Sequence, residues 1–185
     1  PYYIHLIETI LIYAILLFGL DIVVGYTGQV SLGHAGLFGV GSYTAGVLFF
    51  KLGMPFWITV PASIAVTAAF GGLLALPALK VIGPYLAMVT LAFGTILQIL
   101  INEMTWMTEG PLGIKIPKPE LMGVPMTKAE YFWMVSAILI MSLIVVDRFV
   151  KSQIGRAFEA LRDSPIACDC MGVSVYRFKV IAFVI

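Results

Sequence analysis

The chain has 185 residues, of which 61% are hydrophobic and 11% charged, with a formal net charge of +1. A soluble domain averages roughly 45–50% apolar and about 25% charged residues. The composition therefore excludes a water-soluble fold and points to an all-α integral membrane protein, while the net charge names no partner and gives no reason to expect nucleic acid. The charges are also segregated, since Lys80 is the only one between Lys51 and Glu103. The apolar N-terminal run lacks a basic region and a cleavage site, so it reads as a span and not as a signal peptide.

In chain order, five full spans and the start of a sixth are expected, at about 3–24, 32–50, 55–79, 84–103 and 129–149, with the last beginning near 178. Each full span suits the roughly 20 residues needed to cross hydrocarbon at 1.5 Å per residue. Pro61 and Pro77 lie near the ends of the third span, and Pro84 suits the first turn of the fourth. The whole of 1–185 reads as one transmembrane domain. The C-terminal run VIAFVI stops inside an apolar stretch, which is what a fragment would do.

Asp21 closes the first span as an ionisable group. It is either a functional carboxylate or an acceptor for the amides of the turn that follows. That turn opens the window GYTGQVSLGHAGLFGVGSYTAG, which packs seven glycines into residues 25–46. Glycine is costly in an ordinary helix interior, but in a bilayer it lets helices approach to backbone distance. Ala35, Gly39, Ser42 and Gly46, spaced 4, 3 and 4, form one small-residue stripe, for close helix packing or for lining a path. Gln29, Ser31 and His34 need partners in hydrocarbon. A helix starting near Ser31 would present free N–H groups and its positive dipole end there, with Ser31 a natural N-cap. Thr95, Gln98 and Asn102 share one face of the fourth span, so that face is expected to look toward protein or water. Together Asp21, Gln29, Ser31, His34, Thr95, Gln98 and Asn102 are the candidate lining of a translocation path.

The segment 104–128 is an extracytoplasmic loop. The segment 151–177 is too polar to span and too patterned to be featureless. Ile154, Phe158 and Leu161 recur at helical spacing, and then Ser164 as N-cap, Pro165 at the first position and Gly172 past the end define a short helix over about 165–171. Such a helix beside the membrane suits a partner's docking. Orientation follows the basic residues: placing 151–177 inside puts Lys80, Arg148, Lys151, Arg156, Arg162, Arg177 and Lys179 on the cytoplasmic side. Lys51, Lys115, Lys118 and Lys128 are then outside, balanced by acidic residues. Cys168 and Cys170 read as reduced thiols in a cytosolic loop, since a lone C-x-C pair makes no metal site.

Three stretches carry a family resemblance: VVGYTGQVSLGHAGLFGVGSYTA, GPYLAMVTLAFG with EGPLGI downstream, and IGRAFEALRDSPIACDCMGVSVYRFKVIAFVI. In this order they resemble the LivM-like permeases of ABC importers for branched-chain amino acids. The resemblance implies a channel-forming subunit in the inner membrane that moves an amino-acid substrate. It also implies a second permease subunit, cytosolic ATPase subunits and an extracytoplasmic substrate-binding protein as partners. On the same grounds Gly155, Arg156, Phe158, Glu159, Ala160, Arg162, Asp163, Pro165 and Gly172 are expected to engage the ATPase. Asp21 stands where Asn is common in the family, and Thr95 and Gln98 where charged residues often occur. The chain has no G-x-x-x-x-G-K-[ST] loop, so ATP would be bound by partner subunits, with no cofactor and no catalytic residue here. A secondary transporter of small amphiphilic solutes is the alternative, although the mid-membrane stretches carry almost no charge. An intramembrane hydrolase using Ser31 and His34 would lack the glycine pattern of a nucleophile elbow.

Overall fold

The computed structural model describes residues 2–81, 83–110, 113–114, 120–121 and 124–185, with the side chains of 120, 121, 124 and 125 excepted. The helices are α1 (Tyr2–Asp21), which continues as a π-helical turn (Ile22–Tyr26), α2 (His34–Phe50), α3 (Phe56–Ala78), α4 (Pro84–Glu103), α5 (Thr105–Thr108), α6 (Lys128–Val150), α7 (Gln153–Asp163), α8 (Pro165–Cys170) and α9 (Val175–Val184). Two-residue strands β1 (Glu120–Leu121) and β2 (Val124–Pro125) are the extended pieces among the described residues. In the expected extracytoplasmic loop, residues 111, 112, 115–119, 122 and 123 lie outside the described residues. They include Lys115 and Lys118 and part of the EGPLGI motif.

Among the described residues, four helical stretches are long and apolar enough to cross a membrane: Tyr2–Tyr26, Phe56–Ala78, Pro84–Glu103 and Lys128–Val150. The second expected span is shorter. It begins at His34, not near Leu32, and its 17 residues reach about 26 Å against a hydrocarbon core of about 30 Å. Gly33 is the N-cap, because its carbonyl takes the amides of Gly36 and Leu37. The last helix starts at Val175, ahead of the expected 178. The described residues fall into two compact units, one from Pro1–Gln29 and Val124–Phe178, the other from Val30–Gly123 and Lys179–Ile185.

In the first unit α1 packs on α6. A reciprocal capping box starts α6: the Thr127 hydroxyl accepts from the Glu130 amide at 3.4 Å, and the Glu130 carboxylate accepts from the Thr127 amide at 2.8 Å. Ser152 then caps α7, accepting from the amides of Ile154 and Gly155. Gly155 lies so close to the Val150 carbonyl that any Cβ would overlap it, which lets α7 fold back tightly on α6. The apolar stripe of α7 is buried, with Phe158 1% and Leu161 2% exposed. The Phe158 ring packs 5.8 Å from Phe149 and edge-on to Phe178 at 6.2 Å. Ser164 caps α8, accepting from the Ala167 amide at 3.3 Å. Gly172, at φ +78°, ends it, with its amide bonded to Asp169 and that of Val173 to Cys168. That bonding pattern is a Schellman stop, and it needs the left-handed conformation that glycine adopts without strain.

In the second unit α2 lies against α3 and α4. Leu37, Val40 and Val47 of α2, Leu74, Ala75 and Ala78 of α3, and Leu86 and Leu97 of α4 are buried. Small residues set the approach. A Cβ on Gly36 would stand 2.8 Å from the Gly94 Cα, one on Gly33 2.7 Å from the Thr90 carbonyl oxygen, and one on Gly41 3.0 Å from Thr67 Oγ1. Hydroxyls inside this apolar unit bond their own helices, Thr59 to Phe56 and Thr67 to Ser63, as burial of a polar group requires. At the far end of α4, Thr108 donates to the Ile101 carbonyl at 2.5 Å, and Lys51 donates to the Trp106 carbonyl at 2.5 Å.

Candidate functional site

The second unit contains a groove of about 470 Å³ between α2 and α4. The paired positions Leu32 with Thr90, Gly36 with Gly94 and Gly39 with Ile101 advance together along both helices, so α2 and α4 are parallel. One wall carries Thr95, Gln98 and Asn102 of α4. The other is bared by Ala35, Gly36 and Gly39 of α2, with Tyr43 further along. From Leu91 to Asn102 the groove follows α4 for about 16 Å at the helical rise, more than half of a hydrocarbon core. Its origin is the glycine content of α2, since residues without side chains leave space in front of a helix that keeps its own. Leu32, Leu91 and Ile101 make the rest of the lining apolar. Thr95 returns its hydroxyl to the Leu91 carbonyl at 3.0 Å, while Gln98 and Asn102 are exposed on the groove wall.

The groove thus gathers Thr95, Gln98 and Asn102, three of the seven residues expected along a path. Ser31 and His34, in the same unit, are not in its lining. Ser31 is 4% exposed, its hydroxyl has no partner among the described residues, and it does not cap α2. The reason is a tertiary contact: Thr90, fully buried, takes the amide of Leu32 on its hydroxyl at 2.9 Å, and this draws 31–33 into a non-helical lead-in. His34 opens α2 with a buried Nδ1 that has no partner among the described residues. In the first unit, Gln29 is buried and donates to Thr27 Oγ1 at 2.9 Å. Asp21 is exposed, with its carboxylate lying over Gly25. The turn amides of Thr27 and Gln29 go to the Ile22 and Val23 carbonyls and not to Asp21.

The expected packing stripe is offset from the closest contact. Ala35 and Gly39 face the groove, Ser42 is exposed and bonds the Gly39 carbonyl at 3.0 Å, and Gly46 is buried. The tight approach to α4 runs instead through Gly33 and Gly36. Of the residues expected at an ATPase, Arg156, Glu159, Ala160, Asp163, Pro165 and Gly172 are exposed, while Phe158 and Gly155 hold the loop together from inside. Arg162 turns back into its own unit and donates to the Gly25 carbonyl at 3.1 Å. Both cysteines are free, Cys168 buried and Cys170 exposed. Sequence reasoning missed Thr90, Gly36 with Gly94, and Tyr43. The two glycines carried a signal in being interior to apolar helices, whereas a lone Thr or Tyr in an apolar run carries none.

Apolar helices of spanning length in both units, with a part-polar groove in the second, mark a multi-pass membrane protein. The chain belongs to the family of branched-chain amino acid transport system permease components, whose model matches residues 2–185. It is 38% identical over 200 residues to the high-affinity branched-chain amino acid transport system permease protein LivM of Salmonella typhimurium, covering 95% of this chain and 47% of that protein. The Escherichia coli (strain K12) protein of the same name is 38% identical over the same extents. The chain spans about half the length of these curated relatives. No solved structure matches it.

Proposed function

We propose that this chain is part of the permease subunit of an ABC importer, and that it forms a translocation path for branched-chain or related amino acids across the cell inner membrane. The observation that carries this reading is the α2–α4 groove, with amide side chains on one wall and bare backbone on the other. A binding protein would select the substrate and ATP would drive the cycle, so a weakly polar lining is enough, and tight binding would slow release. Separate ATPase subunits would hydrolyse ATP and dock on α8 and its C-cap, where Ile166 and Met171 are 79% and 82% exposed, and on Glu159 of α7. A second permease subunit and an extracytoplasmic binding protein complete the assembly. Supporting the orientation with 151–177 inside, the three tryptophans, Trp57, Trp106 and Trp133, are exposed at helix ends that it assigns to the outer interface. The chain itself is then a conduit and not an enzyme.

The test is uptake of labelled leucine into proteoliposomes that hold the full-length permease, its partner permease, the ATPase subunits and the binding protein. Uptake is expected only with ATP on the ATPase side, and Gln98→Leu should reduce it several-fold without loss of assembly. Uptake driven by an ion gradient with no ATP would select the secondary-transporter reading instead.

A further inference from the structure

The two most patterned segments of the sequence, the GYTG turn and the loop 151–177, meet within the first unit, and the contact has a specific shape. In a regular α-helix the Gly25 carbonyl would accept from the amide four residues on, that of Gln29. Here the Thr27 amide goes to Ile22 at 3.3 Å, the wider spacing of a π-helical turn, and the Gln29 amide reaches back six residues to the Val23 carbonyl at 3.1 Å, across Gly28 in the left-handed conformation. The Gly25 carbonyl is released, and Arg162 Nη1 takes it at 3.1 Å. The Arg162 stem is seated as well. Gly28 has φ +67°, and a Cβ there would lie 2.8 Å from Arg162 Cγ. A cation is favourable at this point because it faces the C-terminal, negative end of the first span.

We propose that Arg162 is a positioning residue that holds the end of the first span in its π-helical form, and that this joint transmits partner-driven motion of α7 and α8 to the end of that span. The Gln29 amide has two alternative acceptors, Val23 and Gly25, and Arg162 occupies the second. Releasing Arg162 leaves the Gly25 carbonyl to the Gln29 amide, which, with Gly28 turned to a helical φ, restores α-helical winding at the end of the first span. Single-turn π-helical insertions of this kind are frequent at functional sites. Arg162 sits two residues before the Ser164 cap of α8, so a partner that displaces α8 pulls on it directly. Its side chain is half exposed, and α7 is anchored separately by Phe158 and Leu161. The joint can therefore open without unpacking the loop.

This inference rests on the ATP-driven reading above, and one experiment separates the two. In the reconstituted full complex, ATP hydrolysis and leucine uptake are measured together for the wild type, Arg162→Ala, Arg162→Lys and Gly28→Asn. Arg162→Ala is expected to co-purify with the ATPase subunits and to hydrolyse ATP. Its uptake per ATP should fall by about fivefold or more, the lower end of ordinary coupling energies. Arg162→Lys should restore part of it by returning a donor and a charge. Gly28→Asn, which tolerates the left-handed backbone but crowds Arg162, should also lower the ratio. An unchanged uptake per ATP in Arg162→Ala overturns the proposal, and so does its failure to assemble, which would make Arg162 a docking residue only. A wild type with no ATP-dependent uptake overturns the functional reading itself.

Discussion

At the scale of single residues, glycines decide how near the helices come and where the groove opens. Gly36 and Gly39 are three apart on α2, yet their surroundings differ. Gly36 faces backbone, with the Gly94 Cα 2.8 Å from where its Cβ would be, whereas at Gly39 the nearest atom is the Ile101 Cδ1 at 3.6 Å. Backbone cannot step aside as a side-chain tip can. Gly36→Ala is therefore expected to cost about 1–3 kcal/mol, as overpacking does, and to lower the thermal midpoint of the detergent-purified protein. Gly39→Ala should leave that midpoint unchanged. Gly39→Leu would instead push into the groove and obstruct uptake while the protein still folds, so the two glycines separate packing from path. Equal destabilisation at both positions would remove the distinction.

Elements are set by their ends as much as by their interiors. Helix α8 has only six residues, too few to be stable alone, so its caps matter more than its propensity. Ser164→Ala removes the acceptor for the Ala167 amide and is expected to cost about 1 kcal/mol. The checking measurement is hydrogen exchange across 165–172, which should quicken locally while α6 is unaffected. Gly172→Val forces a β-branched residue to φ +78° and should unravel the Schellman stop more severely, with weaker retention of ATPase subunits on purification. Sequence patterns identified these ends because a cap is a local device: Ser, Pro and Gly at fixed offsets act within one turn. The start of α2 was misplaced for the opposite reason. Ser31 has the chemistry of a cap, but Thr90, 58 residues on, claims the neighbouring amide, and no local pattern announces that.

For the whole molecule, the arrangement of charge predicts sidedness, and the native cysteines report it. Cys170 is exposed on α8 and Cys168 is 5% exposed. A membrane-impermeant thiol reagent is expected to label Cys170 in inside-out vesicles and to leave it unlabelled in right-side-out ones, with Cys168 protected in both until denaturation. Labelling of Cys170 from the outside would invert the topology. The sequence alone settled the membrane class, the family resemblance and the shared polar face of α4, because hydropathy, capping and helical period are properties of contiguous residues. Four of its five expected full spans are long apolar helices, while the second is shorter. Tertiary structure decided which glycines touch backbone and which line the groove, that Ser31 is buried without a role as a cap, and that Arg162 reaches the Gly25 carbonyl 137 residues away. Each of those depends on which helix faces which, and in a chain so uniformly apolar many faces are equally hydrophobic, so only the packing itself selects among them.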